Sequence, residues 1–224
     1  MYEQYRDVGR VFSRELQKKE VRKRVKVRVS KKVLARVARM SQLSVFYECF
    51  RGWVEGAGIS ELDGMYHLCD NLSGCQTMMV RYRGGVGLLH TEEDFYDVQA
   101  RLSRNHTIEF NDNGRILRAL TYNDLMPGAG VIGWQKDMVV AVDALFLKET
   151  DIEEISDPML ANIVAWQMWY MTPEQTDAKT IIKQLSGLGN MIDGYAINLI
   201  RRVGKKVSGY KVFFARSDWE IEKL

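Results

Sequence analysis

The sequence is poor in the residues that staple, kink or ligate: three cysteines, three prolines and three histidines among 224 residues. Cys49, Cys69 and Cys75 are odd in number, widely spaced and without a Cys-x-x-Cys pair, which argues against a disulfide framework and against a zinc site. His67, His90 and His106 fall at no metal-ligand spacing, so neither a metal nor a cofactor is expected. No stretch of about 18 or more apolar residues is present to cross a membrane. The N-terminus also lacks the short apolar run and small-residue cleavage site of a signal peptide. These absences predict a soluble, cytoplasmic protein with no membrane contact. Internal repeats, low-complexity tracts and Pro/Ser-rich linkers are missing too, and one domain is the default organisation, with two small domains the alternative. A cysteine that matters chemically in such a chain should matter as a nucleophile.

What is present in quantity is apolar: 46% hydrophobic residues against 27% charged, enough for a sizeable core. The net charge of +3 hides an asymmetry, because residues 1–40 carry 14 basic and 4 acidic side chains and the remainder 18 basic and 25 acidic. Between Lys18 and Arg39 stand 11 Lys or Arg and a single Glu, interleaved with Val and Leu. That is a footprint for nucleic acid or an anionic surface. It is equally the pattern of a helix with one Val/Leu face and one basic face, packed on a mildly acidic body. The packed helix ranks first, because no RNP, zinc-finger or helix-turn-helix signal accompanies the charge. Nucleic-acid binding through residues 18–39 is the rival reading.

Residues 2–41 repeat Val, Leu and Phe at near-helical intervals, with Gly9 as the one glycine, and predict helix broken near Ser30. The run Val21 to Val29 also alternates apolar and basic residues as a strand would. Leu43 to Trp53 predicts a further helix with an aromatic face, ended by Gly56 and Gly58. After a short polar piece, residues 59–73, the pattern turns extended. GCQTMMVRYR and GGVGLLHTEEDF are separated by a Gly-Gly turn, and HTIEFND and RILRALTY by Asn-Asp-Asn-Gly. GAGVIGWQ and DMVVAVDALFL follow. Pro158 and Pro173 each open a predicted helix, and GYAINLIRRV and GYKVFFARS form a last strand pair around Gly204-Lys205-Lys206. Helices, strands, helices, strands in that order suit an α+β fold with an antiparallel sheet.

At the boundary between helical front and strand-rich body stands Ser73-Gly74-Cys75-Gln76-Thr77, a small residue and a glycine directly before a cysteine that opens a strand. On its own Cys75 reads as a small buried hydrophobe. Taken in order with GLLHTEEDF on the second strand, LMPGAGVIGW and VVAVDAL, the sequence resembles the acyl-coenzyme A:6-aminopenicillanic acid acyltransferase family. These are relatives of the choloylglycine hydrolases among the N-terminal nucleophile hydrolases. The resemblance runs weakly over the whole chain, and the order of the short motifs carries it.

The resemblance implies a four-layer αββα sandwich, with residues 1–74 as a helical propeptide-like segment and 75–224 as a strand-rich nucleophile domain packed with it as one domain. It implies self-cleavage between Gly74 and Cys75, after which the new α-amine, with a reference pKa near ~8, serves as base for the adjacent thiol. The family's amine-binding carboxylate maps to Asp94 or Glu93, with Asp94 preferred because Phe95 then takes the aromatic position that follows. Asp143 stands where relatives carry an oxyanion-supporting Asn, and a carboxylate donates only when protonated. His90, Glu93 and Trp134 are pocket candidates. The implied substrate is a linear amide or an acyl thioester, hydrolysed or transferred through an acyl-enzyme at Cys75. A non-catalytic relative binding a small acyl or amide ligand is the alternative. Relatives continue with further strands, so a short member or a fragment is expected. Nothing in the residues fixes an oligomeric state.

Overall fold

The computed structural model describes residues 1–18, 24–70, 74–93, 106–122, 125–145, 155–175, 177–192, 194–215 and 218–224. The fold is α+β, and its order is the expected one of helices, strands, helices and strands.

Helix α1 spans Tyr2–Lys18 and α2 spans Arg24–Val37. Ser30 therefore lies inside α2 and does not break it; its hydroxyl is buried 3.2 Å from the Cys69 thiol, a tertiary contact that a helix interior can hold. From Arg24 onward helix also displaces the strand alternative, with Val29, Val33 and Val37 buried at helical spacing. Helix α3 spans Ser44–Ala57 and ends on left-handed Gly58 (φ 67°). Gly56 is not a stop. It lies within α3, where a side chain would overlap the Arg6 carbonyl oxygen of α1, and Gly9 and Gly52 meet the opposite backbone in the same way. Helices α1 and α3 thus pack main chain against main chain.

The polar piece at 59–73 holds an unpredicted helix, α4 (Glu61–Asp70). Its start has a physical signal: the Ser60 hydroxyl accepts a hydrogen bond from the Asp63 amide at 3.1 Å.

Strands β1 (Gly74–Tyr82) and β2 (Gly85–Glu93) form a separate antiparallel hairpin. Strands β3 (His106–Asp112), β4 (Arg115–Thr121), β5 (Ile132–Gln135) and β6 (Met138–Leu145) run as a meander. Strands β9 (Gly194–Val203), β10 (Lys206–Ala215) and β11 (Asp218–Lys223) complete a seven-stranded antiparallel sheet in the order β11-β10-β9-β6-β5-β4-β3. Strand β11 falls in the C-terminal residues that the sequence pattern leaves unassigned. The excursion between β6 and β9 holds β7 (Pro158–Met159), α5 (Ala161–Tyr170), α6 (Ala178–Ser186) and β8 (Asn190–Met191). Two expected helix starts move. Pro158 sits in β7, paired in parallel with Asn190, and α5 begins after extended Leu160. Pro173 opens only a short 3-10 turn, and α6 starts after Asp177, whose carboxylate accepts from the Thr180 amide.

The strand period assigns the two faces of the large sheet. One carries Phe110, Gly133 and Tyr195 and meets the helices. Tyr5 of α1 stacks on Phe110 at 4.4 Å, Trp169 of α5 lies against Gly133, and Tyr195 donates to Asn162. Helix α5 is apolar nearly all round because it is buried between α3 and the sheet. The other face carries Ala141, Asp143 and Asn198 and meets the β1–β2 hairpin.

Candidate active site

The hairpin sets the site. Arg83 and Gly84 both take positive φ (37° and 80°), the signature of a two-residue type I′ turn, one residue earlier than the Gly-Gly turn expected. The register follows: Tyr82 faces Gly85, Thr77 faces His90, Cys75 faces Glu92 and Gly74 faces Glu93. Exposure alternates along β1. Met78 and Val80 point to solvent, whereas Cys75, Thr77 and Met79 are partly covered on the face turned to the sheet. The hairpin crosses that sheet obliquely, with Thr77 on Asp143 of β6 and the Met79 sulfur close to Gly209 of β10.

Four side chains from four strands meet between the layers. The Thr77 hydroxyl donates to Asp143 Oδ1, Asn198 Nδ2 donates to Asp143 Oδ2 at 2.8 Å, and His90 Nδ1 lies 2.7 Å from Thr77 Oγ1 and 3.6 Å from Asp143 Oδ1. The His90 ring is 2% exposed and the Asp143 side chain 7%. Proton counting fixes the polarity of the chain. A carboxylate only accepts, so the single Thr77 proton goes to Asp143, and the Thr77 oxygen then accepts from His90 Nδ1–H. Neutral His90 is thereby held in the tautomer whose Nε2 is the accepting nitrogen. Burial alone would push the Asp143 carboxyl up. The adjoining His90 ring and the hydrogen bonds from Thr77 and Asn198 outweigh burial and hold it below the usual carboxylate range. An ionised Asp143 accepts and positions; it does not replace an oxyanion-donating amide. Asn198 Oδ1 is buried without a donor among the described residues.

Of the residues singled out by sequence, His90 and Asp143 are in this cluster, and Cys75 lies on the same hairpin face two residues before Thr77. Gly74 opens β1, continuous with Cys75. Glu93 is across from Gly74, and it is Glu92 that lies across from Cys75. Asp94 lies outside the described residues. Trp134 shares the sheet face but pairs with Val139, four residues and about 13 Å along β6 from Asp143. The other thiols are in the core: burial pushes Cys49 up to about 12, and Cys69 is taken by Ser30. Val131, a buried β-branched residue at φ 58°, accepts from the Val142 amide next to Asp143, so strained backbone borders the cluster.

Among the described residues no group of His, Cys, Asp and Glu is arranged to hold a metal ion, and no helix is long and apolar enough to cross a membrane. No protein-family model and no curated protein sequence matches this chain.

Proposed function

We propose that the chain is a self-processing cysteine hydrolase or acyltransferase that acts on a linear amide or an acyl thioester through an acyl-thioester at Cys75. One observation carries the reading. The thiol that opens β1 is the partly exposed one of the three, and it lies on the hairpin face that presses Thr77 and His90 onto ionised Asp143.

In this reading the Gly74–Cys75 bond is cut by the Cys75 sulfur, and the released α-amine becomes the base for later turnovers. Asp143 acts as a positioning residue for Thr77 and His90. The architecture would be the αββα sandwich of N-terminal nucleophile hydrolases. The hairpin then begins the second sheet, and the exposed Met78, Val80 and Leu89 mark where a fourth layer would lie. A thiol nucleophile must stay reduced, and three cysteines that form no disulfide with one another suit a reducing, cytoplasmic setting.

Residues 1–74 would stay bound after cleavage, because Tyr5, Phe12, Phe46, Phe50 and Trp53 share one core with Phe110, Trp166 and Trp169. The test is mass spectrometry under two conditions. Denatured protein should give two chains, 1–74 and one beginning at Cys75; native protein should give their complex, and Cys75→Ala should give only the full-length mass. Full-length mass in fresh and aged wild type, with Cys75 unlabelled by a thiol-directed acylating probe, overturns the proposal.

A further inference from the structure

We propose that the cleft between the C-terminal ends of α5 and α6 binds a small N-acyl amino acid, with its carboxylate at Lys183 and its amide at Gln167 and Gln184. None of the residues that line it belongs to the hairpin or to the Asp143 cluster, so the proposal stands apart from the reading of Cys75.

The cleft is open and has a volume of about 580 Å³, within the range of small-molecule sites. Its floor is apolar and fixed. Met171 and Leu188 are buried there, and the carbonyls at the end of α5 are each taken by a side chain. Gln135 donates to those of Trp169 and Met171 at 3.0 and 2.6 Å, and Arg115 to that of Tyr170 at 2.8 Å. The Tyr170 ring is held between Trp166, 5.0 Å away, and the Arg115 guanidinium, 4.4 Å from its centre. A ligand therefore meets a wall that needs no ordering on binding.

The rim is built differently. Gln42 comes from the short turn Ser41–Leu43, Gln167 from α5, and Lys183 and Gln184 from α6. Among the described residues none of these four side chains makes a hydrogen bond or an ion pair. Polar groups without partners in the chain converge on one apolar cleft.

The donors and acceptors select the ligand. Arg115 is offset by Asp112 at 3.1 Å, whereas Lys183 has no carboxylate beside it among the described residues, so a single negative charge balances the cleft. Each glutamine offers one carbonyl and one NH2, the complement of an amide N–H and C=O. Carboxylate, amide and apolar body together describe an N-acyl amino acid.

The test uses full-length Cys75→Ala protein, in which turnover through that thiol cannot consume the probe, and hippurate (N-benzoylglycine) as the probe. The methyl signals of Met171 and Leu188 should shift together as hippurate saturates one site. N-Benzoylglycinamide lacks the charge and should bind about fivefold more weakly. Phenylbutyrate has the same length without the amide and should also bind about fivefold more weakly. Lys183→Gln should abolish the first difference and leave the second; Gln167→Met and Gln184→Ala should each narrow the second and leave the first. All three replace exposed or half-buried helix side chains with good helix formers, and thermal melts confirm folding. Methyl signals that stay in place at about 10 mM hippurate overturn the proposal. So does a carboxylate preference that survives Lys183→Gln, or an amide preference unchanged in both glutamine variants.

Discussion

Replacing Asp143 separates a load on the fold from a load on the chemistry. Asp143→Ala leaves two donors, the half-buried Thr77 hydroxyl and the buried Asn198 amide, without their acceptor. Each costs about 1–3 kcal/mol, so the loss should be about 4 kcal/mol. Asp143→Asn is milder for a reason visible in the cluster. The new amide keeps an oxygen for Thr77, and Asn198 can rotate its own amide to present Oδ1, the atom that has no donor among the described residues. Only the charge assistance of the bonds is lost, about 1–2 kcal/mol. The pH dependence has a definite sign. The folded carboxyl is held below its unfolded value of about 3.9. Its contribution is therefore full above that value and disappears as pH falls through the lower folded one. The gap between wild type and Asp143→Asn should be widest near neutrality and should narrow in acid. Urea unfolding followed by circular dichroism from pH 7 to pH 3 measures both effects. An Ala variant within about 1 kcal/mol of wild type, or an Asn gap that stays constant with pH, refutes the geometry assigned to this cluster.

Three further outcomes follow from packing and backbone. Gly56→Ala and Gly9→Ala should each lose about 2 kcal/mol by urea unfolding, overpacking of main chain by about 3 outweighing a helix-propensity gain of about 1; Gly187→Ala, with ordinary clearance, is the control that should stay neutral. Arg83→Asn should raise the melting temperature, by about 0.5–1 kcal/mol of relieved left-handed strain in the turn that sets the site's register; a lower melting temperature would contradict the type I′ assignment. Tyr5→Phe should lose about 2 kcal/mol, because the hydroxyl donates to the Pro127 carbonyl and accepts from Trp166 Nε1, both at 2.8 Å in the core; unchanged stability would mean that these bonds are not made in solution.

Period and punctuation made most of the fold legible. The strands read from alternation and the Asn113-Gly114 turn match β3 through β6 and the β9–β10 pair, because residues buried on one face repeat every two. The failures share a cause, namely tertiary contacts that a window of sequence does not contain. Helix α4 looked polar because it carries Glu61, Asp63 and Gly64, and its apolar side is defined only by α2 and α3. Ser30 and Gly56 looked like breaks but are contact points, one for Cys69 and the other for the Arg6 carbonyl. Pro158 looked like a helix start but pairs with Asn190, some thirty residues later.

The candidate site was legible residue by residue and not as a set. Cys75, His90 and Asp143 stood out by chemistry, while Thr77 and Asn198 did not, although both carried signals. Thr77 follows Cys75 by two, hence on the same face, and Asn198 is an amide inside the apolar run YAINLI, where a buried polar group needs a partner. What sequence could not supply was the register. A turn centred on Gly84-Gly85 would place Asp94 across from Cys75 and Glu92 across from Thr77, directing a second carboxylate toward buried Asp143. The turn at Arg83-Gly84 shifts each partner by two residues and brings His90 across from Thr77 instead. Two buried carboxylates repel where a carboxylate and an imidazole attract. Asp143 on the opposite layer therefore favours the register that Arg83 must adopt an unfavourable φ to make.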